Sequence, residues 1–152
     1  MALNLSAAAA AFLRTHHVMT LATQGPDGPW AAALFYAPDG DDLVFLSAPS
    51  SRHGRDLARE PRCAASIQGQ EQDWRSIQGL QVEGVASVLE GAEREQARRV
   101  YGERFPFVQP GTAPAAIVQA LARVQWYRLR VARLLFIDNA RGFGQREEFG
   151  GA

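Results

Sequence analysis

Two clusters of turn formers, Gln24-Gly25-Pro26-Asp27-Gly28-Pro29 and Pro38-Asp39-Gly40-Asp41, punctuate the first third of this chain. They separate three short apolar runs: Met19, Leu21 and Thr23; Trp30 to Tyr36; and Leu43-Val44-Phe45-Leu46. Loops this short cannot hold the crossover helix that parallel strands require, so the reading is an antiparallel meander rather than βαβ units.

The rest of the chain extends that pattern. Arg62 to Ile67 reads as a fourth strand, closed off from a helix over Ser51 to about Glu60 by Pro61. Leu80 to Leu89 alternates, with Leu80 and Val82 on one face and Gln81 and Glu83 on the other, and Gly84 marks a bend or bulge. Gln125 to Asp138 is the last strong strand. Helices are expected from a Ser6 cap through about His16, from Ala92 to about Arg104, and from Pro114 to Leu121 or Ala122. The sum is a mainly β fold with peripheral helices, six antiparallel strands closing into a small barrel that removes its edges. With 152 residues, a single domain spanning 1–152 is expected.

Several function classes are disfavoured by the residues themselves. Lys+Arg and Asp+Glu balance at 16 each, which argues against nucleic acid as a default partner. Trp126, Arg128 and Arg130 share one strand face that could stack a nucleotide or be covered by a partner subunit, and the balanced charge favours the second. The single Cys63 excludes an internal disulfide and reads as a small buried hydrophobe on a strand. No apolar stretch reaches membrane-span length, and the run Ala7–Ala11 has no basic segment before it, so it reads as a helix of a cytoplasmic protein rather than a leader. His16, His17 and His53 lack metal-ligand spacing, and Ser50 and Ser51 lack the glycines of a hydrolase elbow. Gly-x-Gly-x-x-Gly and P-loop signatures are absent.

One corner remains with chemistry to offer. In Phe45-Leu46-Ser47-Ala48-Pro49-Ser50-Ser51-Arg52-His53-Gly54-Arg55-Asp56-Leu57, an apolar strand end meets a helix start carrying hydroxyls and positive charge. Free N–H groups, the helix dipole, Ser47, Ser51 and an arginine fork can together hold a phosphate. Nearby, Ala31, Ala32 and Ala33 leave room beside the backbone, either for a packed neighbour or for a flat ligand.

These residues resemble the pyridoxamine 5'-phosphate oxidase-like, FMN-binding split-barrel family over roughly Val18 to Val88, with a weaker echo in Val124 to Phe149. The matching pieces are Thr20-Leu21-Ala22-Thr23 with Asp27-Gly28-Pro29-Trp30; Val44-Phe45-Leu46-Ser47 with Ser51-Arg52-His53; Glu60-Pro61-Arg62-Cys63-Ala64-Ala65; and Ile77-Gln78-Gly79-Leu80-Gln81-Val82-Glu83-Gly84. The resemblance implies a six-stranded split barrel that forms a homodimer, with FMN in each of two clefts between subunits. It places Arg52 on the FMN phosphate, His53 where the oxidases have a lysine, Ser51 at the cap of the phosphate-side helix, and Leu46 and Ser47 against the flavin ring. Ala32 and Ala33 lie on the strand that runs under the cofactor, with Ala32 where the family has a second phosphate-binding arginine. The implied activity is an FMN-dependent oxidoreductase acting on a small molecule, with NAD(P)H as a candidate donor. The alternative is a non-catalytic flavin- or haem-binding module of the same fold. The substrate side is unmarked, because Arg133, Arg141 and Arg146 do not map onto the oxidases' substrate-binding residues.

Overall fold

The computed structural model describes residues 2–71 and 73–151. The elements run α1 (Ala7–Thr15), β1 (Val18–Gly25), β2 (Gly28–Phe35), β3 (Ala37–Asp39), β4 (Asp42–Ser47) and α2 (Arg52–Arg59). They continue β5 (Arg62–Gln68), β6 (Gln78–Val88), α3 (Gly91–Arg104), α4 (Ala115–Leu121), β7 (Gln125–Asp138) and β8 (Arg146–Gly150).

All strand pairs are antiparallel, in the order β2-β1-β5-β6-β7-β4-β3, with β8 also on β7. The two ends of that order, β2 and β3, are separated in the chain by Tyr36 alone. A sheet whose opposite edges are one residue apart must curl round on itself. Tyr36 is fully buried at this seam, where its N–H donates to the His17 carbonyl at 3.1 Å and its hydroxyl to the Leu13 carbonyl at 2.7 Å.

The split comes from β7. Along one edge it pairs with β4 over Gln125–Leu129 and with β8 over Arg133–Ile137. Its other edge pairs with β6 throughout. The result is a curled antiparallel sheet forming an open half-barrel with helices around it.

Six strands were expected and the described residues contain eight. The expected strand Trp30 to Tyr36 stops at Phe35, because Tyr36 turns the chain from one sheet edge to the other; Pro38 and Asp39 of the expected turn lie in β3, and Gly40-Asp41 closes a separate β3–β4 hairpin. The glycine-rich stretch after β7 turns back through Gly142 and Gly144, both at positive φ, and lays β8 along it.

Gly84 does mark a bulge, with the β6–β7 register shifting between Glu83 and Gly84. A Cβ there would lie 2.1 Å from the Arg130 carbonyl oxygen, so only glycine fits. The Ser6 cap also forms, accepting from the Ala9 N–H at 3.3 Å.

Two apolar clusters hold the molecule. Inside the barrel, Met19, Leu21, Phe45, Ile67, Leu80, Leu129 and Phe136 pack with Phe12 and Leu13 of α1. Beneath α3, Val44, Leu89, Ala97, Tyr101, Phe105 and Trp126 form the second. Trp126 therefore fills a core, 6% exposed, with its ring edge-on to Tyr101. Among the described residues, no helix is long and apolar enough to cross a membrane.

Candidate functional site at the β4–α2 corner

The corner is built by short-range hydrogen bonds that its sequence dictates. Ser51 caps α2: its hydroxyl accepts from the Gly54 N–H at 3.0 Å and donates to the Ala48 carbonyl at 2.7 Å. The Ser51 N–H also donates to that carbonyl, at 3.0 Å, which closes the turn from β4. Gly54 is required by the same closeness, since a Cβ would meet the Ala48 oxygen at 2.7 Å. Deeper in α2, the buried Asp56 accepts from the Thr23 hydroxyl at 2.8 Å and ties the helix to β1.

His53 faces inward. Only 8% exposed, it hydrogen-bonds through Nε2 to the Ser47 hydroxyl, which also lies 3.4 Å from that of Ser51. Burial lowers its pKa, with the Asp56 charge opposing in part, so the imidazole is neutral at pH 7. The histidine that stands where the family has a lysine is thus buried, with its Nε2 bonded to Ser47 and its charged form disfavoured.

Arg52 turns the other way. Its guanidinium lies over the Trp30 ring, 4.4 Å from the centroid, and Nη2 donates to the Asp27 carbonyl at 3.2 Å. Its Nε is shielded from solvent and has no hydrogen-bond partner among the described residues. The edge of the guanidinium not engaged by Asp27 is the part an incoming anionic oxygen could meet. Arg52 thus presents its cation outward at the corner, whereas His53 is turned inward to Ser47.

The structure thus brings Ser47, Ser51 and His53 into one hydrogen-bonded group with Arg52 beside it. Leu46 and Ser47 take opposite faces of β4, with Leu46 packed on the cluster under α3. Ala32 and Ala33 likewise take opposite faces of β2: Ala32 pairs with the core residue Leu21, and Ala33 with Thr20 on the outer face. Sequence reasoning missed Trp30 as the platform for Arg52. Arg55 and Arg59, at the spacing Arg52, Arg55, Arg59, share one face of α2 with it.

The remaining candidates sit elsewhere. His16 stacks on Phe12 at 3.7 Å and bonds through Nδ1 to the Phe12 carbonyl at 2.9 Å. Burial pushes the half-buried Cys63 thiol up to about 11, which leaves it a protonated filler. Among the described residues no cluster of His, Cys, Asp and Glu could hold a metal ion.

Comparison with known proteins extends this geometry. The family model described as pyridoxamine 5'-phosphate oxidase matches residues 5–138. The UPF0306 protein YhbP of Escherichia fergusonii is 30% identical over 137 residues, covering 89% of this chain and 86% of that protein. A heme binding protein from Mycobacterium smegmatis superposes with a TM-score of 0.73 at 27% identity, covering 95% of this chain, which spans 58% of that one's length. The conserved hypothetical protein Rv2991 of Mycobacterium tuberculosis superposes at 0.75 with 24% identity, covering 99% of this chain and 95% of that one, and shows the shared fold. With a match over most of its length and a split barrel to go with it, the chain belongs to the pyridoxamine 5'-phosphate oxidase-like split-barrel family, alongside the UPF0306 proteins.

Proposed function

We propose that this protein is a cofactor-binding module of its family that holds a flavin, with FMN the simplest form, its phosphate on Arg52. The observation that carries the reading is the Arg52 guanidinium, braced by Trp30 and the Asp27 carbonyl and in no ion pair among the described residues. A phosphate oxygen arriving there meets a cation whose orientation is fixed in advance. Ser51 and Ser47 shape the corner, and the locked His53 adds no charge to it. One arginine in place of a cluster makes the site a moderate binder.

A bound flavin would supply two-electron redox chemistry of its own, and the chain's part is to hold and orient it. The family resemblance also implies a second subunit. The outer sheet face suits one: Ala31, Ala22 and Ala64 line up across β2, β1 and β5, with Ala33, Thr20 and Ser66 in the next row. Their small side chains let another sheet approach closely.

The test is the visible spectrum of the purified protein followed by titration with FMN. Flavin bands, or uptake of added FMN with quenched fluorescence, bear the reading out. A Soret band assigns the cleft to haem instead, in line with the Mycobacterium smegmatis relative. A colourless protein that ignores FMN overturns the proposal. If flavin binds, anaerobic reduction by NADH or NADPH and turnover of a small-molecule acceptor separate an oxidoreductase from a carrier.

A further inference from the structure

We propose that the outer face of α2 carries a second anion subsite that takes a diphosphate, so that the cofactor is a dinucleotide such as flavin adenine dinucleotide. This rests on the flavin reading above. Arg52, Arg55 and Arg59 recur at i, i+3 and i+7 and share one side of the helix. With Pro26, Asp27 and Pro49 they line a groove of about 410 Å³ between α2 and the β1–β2 turn. Arg52 belongs to both the phosphate corner and this groove, so the two are continuous.

Most arginines outside the groove are in ion pairs, although Arg14, Arg104, Arg123 and Arg146 form none among the described residues. Arg94, Arg98 and Arg99 of α3 and Arg128, Arg130 and Arg133 of β7 each sit within 4.0 Å of a carboxylate. None of the three on α2 forms an ion pair among the described residues, although two carboxylates line the same groove. Asp56 is engaged with Thr23, and Asp27 contributes its backbone carbonyl to Arg52. Arg55 is steadied by the Ser50 carbonyl, while Arg59 stands exposed with no side-chain bond among the described residues. A monophosphate on Arg52 leaves the other two guanidiniums without a role. Arg55 begins about 4.5 Å further along the helix axis, a step that a linked pair of phosphates can bridge. Arg59, another ~6 Å on, lies where the diphosphate leads into the second nucleoside.

Calorimetric titration of the wild-type protein, Arg59→Gln and Asp27→Asn with FMN, FAD and ADP at low ionic strength tests this, since exposed charges are screened by salt. FAD is expected to bind roughly tenfold tighter than FMN, the size of one charged hydrogen bond. Arg59→Gln should remove most of that margin and abolish ADP binding, with a much smaller effect on FMN. Asp27→Asn, which deletes the opposing charge, should widen the margin. FMN binding with no FAD preference and no ADP uptake overturns the subsite and leaves the flavin reading standing. Arg59-dependent ADP binding without uptake of either flavin does the reverse, sustaining a diphosphate subsite while the flavin reading falls. Equal losses of FMN and FAD in Arg59→Gln also overturn the subsite, because they report only the general field of the helix. No binding of any of the three removes both.

Discussion

The Ser47 hydroxyl and the His53 imidazole are hydrogen-bonded to each other where β4 ends against α2, and the pair is buried from solvent. Its consequence is a division of labour between neighbours. His53 braces the corner from inside while Arg52 presents its charge outward.

His53→Ala should therefore act on stability before it acts on ligand. Removing the ring leaves the buried Ser47 hydroxyl short of a partner and opens a small cavity, at a cost of about 1–3 kcal/mol. Urea unfolding should show the loss, and flavin affinity should change less than in Arg52→Ala.

The same residue sets a pH dependence. Burial holds the folded-state pKa of His53 below its ordinary 6.5. The unfolded chain therefore binds the proton more readily, and stability is fully present above 6.5 and is lost as pH falls from there towards the lowered folded value. His17 is shifted in the same direction, and being exposed it contributes little. Urea midpoints should fall between pH 7.5 and 5.5, and His53→Gln should flatten that slope.

Gly84→Ala should be costly although its backbone is not in the left-handed region. The new Cβ would press on the Arg130 carbonyl across the β6–β7 bulge, where no flexible side-chain end can yield. A loss of about 2–4 kcal/mol is expected from such backbone overpacking, measurable as a drop in melting temperature.

Thr23→Val tests whether α2 is held by its tie to β1. The substitution leaves the Asp56 carboxylate without its 2.8 Å donor, which should cost about 1–3 kcal/mol. Hydrogen exchange should speed up in α2 ahead of the barrel strands.

How much of this was legible in the chain follows from how local each determinant is. The alternation over Leu80–Leu89, the glycine bulge at its centre, the Ser6 and Ser51 caps and the β1–β2 turn are all encoded within a few residues, and all form as read. The kink at Tyr36 was not legible, because it depends on His17 and Leu13 receiving the Tyr36 N–H and hydroxyl. Nor was β8, whose Arg146-Glu147-Glu148 is polar and becomes a strand only against the far half of β7. At the site, Ser51-Arg52-His53 reads as an arginine on a phosphate beside a histidine that stands in for the family's lysine. The fold separates them, one inward to Ser47 and one outward to Trp30.

The account stands on Arg52 as the anchor for a flavin phosphate, and titrating the wild-type protein and Arg52→Ala with FMN by fluorescence quenching tests it most directly. The variant should keep its fold by circular dichroism and bind at least about tenfold more weakly, as expected for the loss of one charge-assisted contact. Equal affinities in the two proteins, or a wild type that takes up no flavin at all, would contradict it.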